Sequence, residues 1–356
     1  MKVPGPVSAG FAPALVHWQR RDGRHGLPWQ GTRDPYRVWL SEIMLQQTQV
    51  STVLGYYPRF LSRFPDVHAL AAASEDEVMS LWSGLGYYSR ARNLHRCACT
   101  VVSEHGGHFP ATSSVLATLP GIGDSTAAAI AAFCHGERVS IADGNVRRVL
   151  SRLLAFEGDL SQARAQRELW QLAQSLLPER PSADDMVAYT QGLMDLGAGV
   201  CTLRQPACER CPVAALCEAR RSGTTDRFPV KTKRVARRHE SWWLLVLRKT
   251  EAGQLSIWLE RRPPRGIWAG LHCVPVAGDD AQALAVVGEH AGAARHLPAL
   301  AHALTHRELR LHPVLVDLVP GAAEPVIPNG RWVPMEQLSD VGLPAPVRSL
   351  LQQLPG

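Results

Sequence analysis

The sequence predicts a mainly α-helical body over residues 1–221, a linker at 222–238 and an α+β domain over 239–356. Three features carry this division. Helix-start signals recur from residue 11 to about 220, four cysteines crowd into positions 201–217, and beyond residue 238 the apolar residues fall into strand-like runs. A chain of 356 residues can bury two separate cores.

Taken in order, Asp34-Pro35 is an N-cap followed by proline at the first helical position, opening a run expected to reach about Gly55. Ser74-Glu75-Asp76-Glu77 has the form of a capping box, and its helix should stop near Gly84. Further helices are expected at 89–105, 125–134, 145–154, 162–177 and 184–196. Residues 222–238 then combine Gly223, Pro229 and many basic side chains with few apolar ones, which is linker composition. Trp242 to Leu247, Leu255 to Glu260 and Pro313 to Val319 read as strands.

Composition narrows the function. A net charge of +6 is mild support for a polyanionic partner. The longest apolar stretch, Ala127 to Cys134, falls far short of the ~20 residues of a membrane helix, so no membrane role is expected. Pro4, Pro6 and Pro13 interrupt any leader-like stretch, which points to a cytoplasmic protein with reduced thiols.

Of eight cysteines, Cys201, Cys208, Cys211 and Cys217 form the run C-x6-C-x2-C-x5-C. Clustered thiolates select zinc or iron–sulfur clusters, and this spacing lacks the paired C-x2-C pattern of zinc ribbons. A [4Fe–4S] cluster is favoured over zinc, with disulfides as the blander alternative. Cys97, Cys99, Cys134 and Cys273 read as packing residues.

Two further features point to chemistry. Leu119-Pro120-Gly121-Ile122-Gly123 is a tight turn in which Gly121 and Gly123 let the backbone approach a ligand, ahead of a helix N-terminus that attracts anions. Glu42 shares a helix face with Val38, Trp39 and Leu45, where desolvation favours the protonated acid, whereas Asp143 sits just before a helix, where a carboxylate is favoured.

The L-P-G-I-G turn, the downstream Asp143-Gly144-Asn145-Val146 and the cysteine run occur in the order seen in the helix-hairpin-helix DNA glycosylases related to endonuclease III, which this chain resembles. The resemblance implies a two-lobed helical body with double-stranded DNA crossing its cleft. It also implies a cluster loop that touches phosphate and a monovalent cation on the hairpin carbonyls. Bifunctional members carry a lysine where this chain has Ser125, so no strong AP lyase activity is expected. Ser125 is read either as a helix N-cap or as a substrate contact.

Ser41 to Val50 is similar to the signature of the adenine DNA glycosylases, the MutY family. That similarity implies that Glu42 protonates adenine at N7 and that Asp143 stabilises or transiently attacks an oxocarbenium-like sugar. Asn145 either closes its turn or bonds the reacting centre. Gln47, Leu85 and Tyr87 are candidates to fill the gap left by the flipped base, and Trp29 matches a segment near the adenine pocket.

Pro263 to Leu271 resembles the Nudix-like C-terminal domain of the same family, yet no R-E-x-x-E-E run follows to hold magnesium, so a recognition module is expected. Leu304-Thr305-His306 stands where the family has Phe-Ser-His against 8-oxoguanine, with strand or turn capping as the plain alternative for Thr305 and His306. The expectation is a monomeric, nucleoid-associated, monofunctional glycosylase removing A opposite 8-oxoguanine or G in base excision repair. The alternatives are a pyrimidine or thymine-mismatch glycosylase and a non-catalytic iron–sulfur DNA-binding protein.

Overall fold

A computed structural model describes residues 3–232, 237–304, 306–319 and 327–354. In chain order the helices are α1 (Gly5–Asp22), α2 (Pro35–Leu45), α3 (Val50–Arg63), α4 (Val67–Ala72), α5 (Glu75–Leu81), α6 (Ser89–His105), α7 (Ser113–Leu116), α8 (Asp124–His135), α9 (Gly144–Leu153), α10 (Ala163–Ser175), α11 (Ala183–Asp195) and α12 (Glu218–Arg221). A mixed sheet follows, so the predicted fold classes hold. Contacts divide the chain into two compact units, Met1–Ala71 with Arg96–Arg234, and Ala72–His95 with Val235–Gly356. Among the described residues no helix is long and apolar enough to cross a membrane.

The first unit is built around α8. Its residues Ala127 to Ala132 are all 0% exposed, so the helix is covered on every side and small side chains let its neighbours approach. Glycine ends it: Gly136 takes the left-handed conformation at φ 68°, and Glu137 N donates to Ala131 O in a Schellman pattern. A Cβ at Gly136 would lie 2.7 Å from that of Ala183, so α11 can start there only against glycine. Phe11 and Leu15 of α1 join Val146 and Leu150 of α9, Leu169 of α10 and Leu193 of α11 in the same core.

Asp34 caps α2 as expected, accepting from Tyr36 N at 2.9 Å. The run predicted to continue to Gly55 instead breaks: α2 stops at Leu45, and α3 begins at Val50. Gln47 adopts φ 55° in the break, a conformation that costs a non-glycine residue roughly 1–2 kcal/mol. Residues 222–232, read as linker, are anchored on the first unit. Leu160 N donates to Val230 O at 2.9 Å, and Asp159 accepts from the backbone and hydroxyl of Thr232.

In the second unit β1 (Arg238–Glu251), β2 (Gln254–Arg261), β3 (His272–Cys273), β4 (Val276–Ala277), β5 (Arg295–His296), β6 (Leu300–Ala303), β7 (Arg307–Leu318) and β8 (Gly330–Pro334) form one sheet, with α13 (Asp280–Val287) and α14 (Ala345–Gln352). The backbone order is β3-β2-β1-β7-β5, with β1 and β7 parallel and the other pairs antiparallel. Leu244 to Leu247 of β1 are buried on both faces, which marks it as the central strand.

Residues 72–95 join this unit through named bonds: Ser80 Oγ donates to Ser339 O (2.6 Å), Tyr88 OH to Leu343 O (3.1 Å), and Arg348 Nε to Ser83 Oγ (3.0 Å). The sequence division at residue 221 did not foresee this return of an early segment.

Arg152 of α9 is 2% exposed. It donates to the carbonyls of Thr202 (2.6 Å), Leu203 (2.9 Å), Thr225 (2.9 Å) and Phe228 (3.2 Å). Replacing it by Met keeps much of the volume but strands those acceptors. Arg152→Met should cost about 3 kcal/mol or more in urea unfolding and speed proteolysis after Arg204. A variant as stable as the parent would show that water can replace the guanidinium.

Candidate active site

The first unit contains a cleft of about 1510 Å³, walled by α2, the 24–33 loop, the 46–49 turn, the first turn of α8 and the start of α9. Glu42, Asp143, Asn145, Ser125, Trp29 and Gln47 all line it. Gly121 and Gly123 lie in the hairpin outside this lining.

Glu42 projects from α2 beside Val38 and Trp39, which are 4% and 0% exposed. Burial, with a smaller contribution from the charge of Asp143, pushes its carboxyl up to about 8. Asp143 is the N-cap of α9 and accepts from Val146 N at 2.7 Å, at a helix end whose free N–H groups favour negative charge. One cleft thus holds an acid that tends to keep its proton and a second carboxyl hydrogen-bonded at a helix N-terminus.

Ser125 is not the helix cap expected as its plain role. Gly123 occupies the N-cap of α8, which puts Ser125 in the first turn, where its Oγ accepts from Ala142 N at 3.0 Å. That bond ties the hairpin helix to the backbone one residue before Asp143. Gly121 takes φ 76°, and a Cβ built on Gly123 meets nothing within 4 Å, so the hairpin backbone is open to a ligand. Asn145 Oδ1 accepts from Arg148 Nη2 at 2.9 Å, and its Cβ faces Gly197, where an added Cβ would come within 2.8 Å.

Two groups of residues escaped the sequence reading. Buried Asp195 accepts from Arg24 N (2.9 Å), Arg24 Nε (2.6 Å) and Gln191 Nε2 (2.8 Å), fastening the loop that carries Trp29. Trp29 is 8% exposed and meets Tyr57 edge-on at 5.5 Å. Arg148 donates from Nε to Cys201 O (2.8 Å) and from Nη2 to Gly197 O (2.7 Å). Asn145, Arg148 and Arg152 follow at i, i+3 and i+7, a spacing that could have marked them as one helix face.

Cys201, Cys208, Cys211 and Cys217 line a second, smaller cavity, and none of the four is in a disulfide. Among the described residues no three His, Cys, Asp or Glu form a group that could hold a metal ion. Cys97, Cys134 and Cys273 are buried, and burial pushes each thiol up to about 12. Cys99 is partly buried.

In the second unit the loop after α5 bends through Gly84 (φ 104°), Gly86 (φ 70°) and Tyr87 (φ 47°). Tyr87 is 44% exposed. Leu85, expected to insert, is only 5% exposed: it is packed into its own unit and cannot enter a base stack in this conformation. Leu304 N donates to Arg307 O at 2.7 Å across the β6–β7 turn, and His306 is exposed, while Thr305 lies outside the described residues.

A family model for HhH-GPD superfamily base excision DNA repair proteins matches residues 40–175, and one for the NUDIX domain matches 243–353. The adenine DNA glycosylase of Buchnera aphidicola subsp. Acyrthosiphon pisum (strain APS) is 32% identical over 348 residues, covering 96% of this chain and 97% of the relative. The chain belongs to the adenine DNA glycosylase family.

The Homo sapiens adenine DNA glycosylase is 34% identical, covering 97% of this chain and 74% of its own length. A thermostable thymine-DNA glycosylase structure matches with TM-score 0.53 and 26% identity, covering 61% of this chain and 97% of its own. A non-covalent endonuclease III–DNA complex, at TM-score 0.50 and 19% identity, shares the fold. Membership of the adenine DNA glycosylase family makes the protein a base-excision-repair enzyme that removes adenine from DNA.

The raised Glu42 acid has a consequence for stability. Well below pH 4.5, folded and unfolded chains both hold the proton. Between about 4.5 and 8 the unfolded chain releases it and the folded one keeps it, so the stability present at low pH is lost as pH rises towards 8. Glu42→Gln should therefore gain on the parent across this window, by up to roughly 4 kcal/mol at pH 8. Urea unfolding at pH 5 and pH 8 measures it. An equal offset at both would mean that Glu42 is solvated.

Proposed function

We propose that the enzyme is a monofunctional glycosylase that releases adenine opposite 8-oxoguanine or guanine and leaves an abasic site. The observation that carries this is the pairing, in one cleft, of a half-buried Glu42 held towards its neutral form with an Asp143 that caps a helix N-terminus. In the reaction Glu42 donates its proton to adenine at N7, the C1′–N9 bond breaks with its electron pair leaving on the base, and Asp143 faces the cationic sugar. Water adds at C1′. Asn145 and Ser125 fix the approach to Asp143 through Arg148 and the Ala142 amide. Ser125 offers no amine for a Schiff base, which supports the absence of lyase chemistry.

The open hairpin at Gly121 and Gly123 suits a phosphodiester, and its carbonyls suit the monovalent cation that the resemblance implies. Tyr87 and Gln47 present exposed side chains suited to the gap left in the duplex, and His306, with Thr305, is assigned to 8-oxoguanine. The four cysteines line one small cavity, and four thiols gathered in one place are a donor set suited to an iron–sulfur cluster. A [4Fe–4S] cluster on Cys201, Cys208, Cys211 and Cys217 would hold their loop in shape. Purified protein should be brown and carry iron and acid-labile sulfide in equal amounts; zinc alone would overturn the assignment. A monomer working on chromosomal DNA in the cytoplasm completes the proposal.

Single-turnover base release from A opposite 8-oxoguanine, A opposite G, A opposite T and T opposite G, each with and without alkali, tests it. Adenine loss from the first two with breaks only after alkali is expected. Thymine release, or breaks without alkali, would overturn it. The rate should fall as pH rises through about 8, where Glu42 gives up the proton it must donate. Glu42→Gln and Asp143→Asn should each lower it at least a thousandfold while duplex affinity persists.

A further inference from the structure

One side chain governs the shape of the loop that presents Tyr87. Arg90, the second residue of α6, is 8% exposed. Its Nη2 donates to Leu85 O at 3.0 Å and Gly86 O at 3.2 Å. Its guanidinium carbon lies 5.3 Å from the Trp82 ring centroid and 5.4 Å from that of Tyr87. Trp82, 0% exposed, supports the same turn by donating Nε1 to Gly86 O at 3.1 Å.

The turn needs such support. Its two glycines and the left-handed Tyr87 have many competing conformations in isolation, and ordering them on DNA would consume binding energy. A planar guanidinium can bond two carbonyls and face two rings at once; an ammonium cannot. Burial lowers the Arg90 side chain to about 10, so it remains cationic at neutral pH.

We propose that Arg90 is a positioning residue for base extrusion: it fixes the Leu85–Tyr87 turn and backs the Tyr87 ring before DNA arrives, an assignment that rests on Tyr87 being the side chain that enters the base stack. It touches no reacting atom and acts through Tyr87.

The test is a double-mutant cycle on the full-length protein, using Arg90→Lys, Tyr87→Ala and their combination. Two readouts are taken on a duplex with A opposite 8-oxoguanine: single-turnover adenine release, and the fluorescence of 2-aminopurine placed beside the 8-oxoguanine. Arg90→Lys should slow release about tenfold and reduce the fluorescence rise, and should have no further effect once Tyr87 is alanine. A full additional loss in the Tyr87→Ala background, or parental behaviour of Arg90→Lys, would overturn the proposal. If Tyr87→Ala itself is silent, the wedge reading fails and the proposal with it. Arg90→Gln, which keeps amide donors for the two carbonyls, covers the case in which Arg90→Lys does not fold, and it should also slow release because no cation then backs Tyr87.

Discussion

The seat of α9 is the constraint on which the catalytic unit depends, and the buried guanidinium of Arg152 sets it. Irregular backbone at 201–203 and 225–228 has no ladder to satisfy its carbonyls, and a buried cation has no water. Each solves the other's problem. One helical turn earlier, Arg148 repeats the device on Cys201 and Gly197, and at the helix start Asp143 takes the Val146 amide. A single ten-residue helix therefore sets both the cysteine loop and the Asp143 carboxylate at its N-terminus.

Across the cleft the same physics runs in reverse. Partial burial on an apolar helix face disfavours the anion of Glu42, and the negative charge of Asp143 adds to the penalty. Two side chains of like chemistry are set in different surroundings by where each lies on its helix: one mid-helix on an apolar stripe, the other at an N-terminus. A carboxyl raised in this way works against folding at neutral pH, a usual feature of sites built for chemistry.

Much of this was legible because it is local. The helix expected at 89–105 is α6 with the same bounds, and the Asp34-Pro35 start and the Asp143 cap are read from neighbouring residues. The break at Gln47 was not legible, since no glycine or proline announces it; Gln46 reaches instead to Thr126, eighty residues away. Of the two readings open for Ser125, the cap fails because the hairpin turn moves the helix start back to Gly123. The Arg24–Asp195 pair spans 171 residues, and only the folded chain reveals it. Leu85 looked free to insert because an apolar residue beside glycines gives no hint of the packing that covers it.

The return of residues 72–95 to the sheet-containing unit has a consequence for synthesis on the ribosome. Ser83 meets Arg348 across a separation of 265 residues, so α5 and the Tyr87 loop emerge long before their partners exist. Some 265 further residues must be made while this segment waits, its apolar face exposed to chaperones and proteases. A ribosome that stalls before residue 338 would therefore release a chain whose first unit can close while the loop carrying Tyr87 has nothing to fold against.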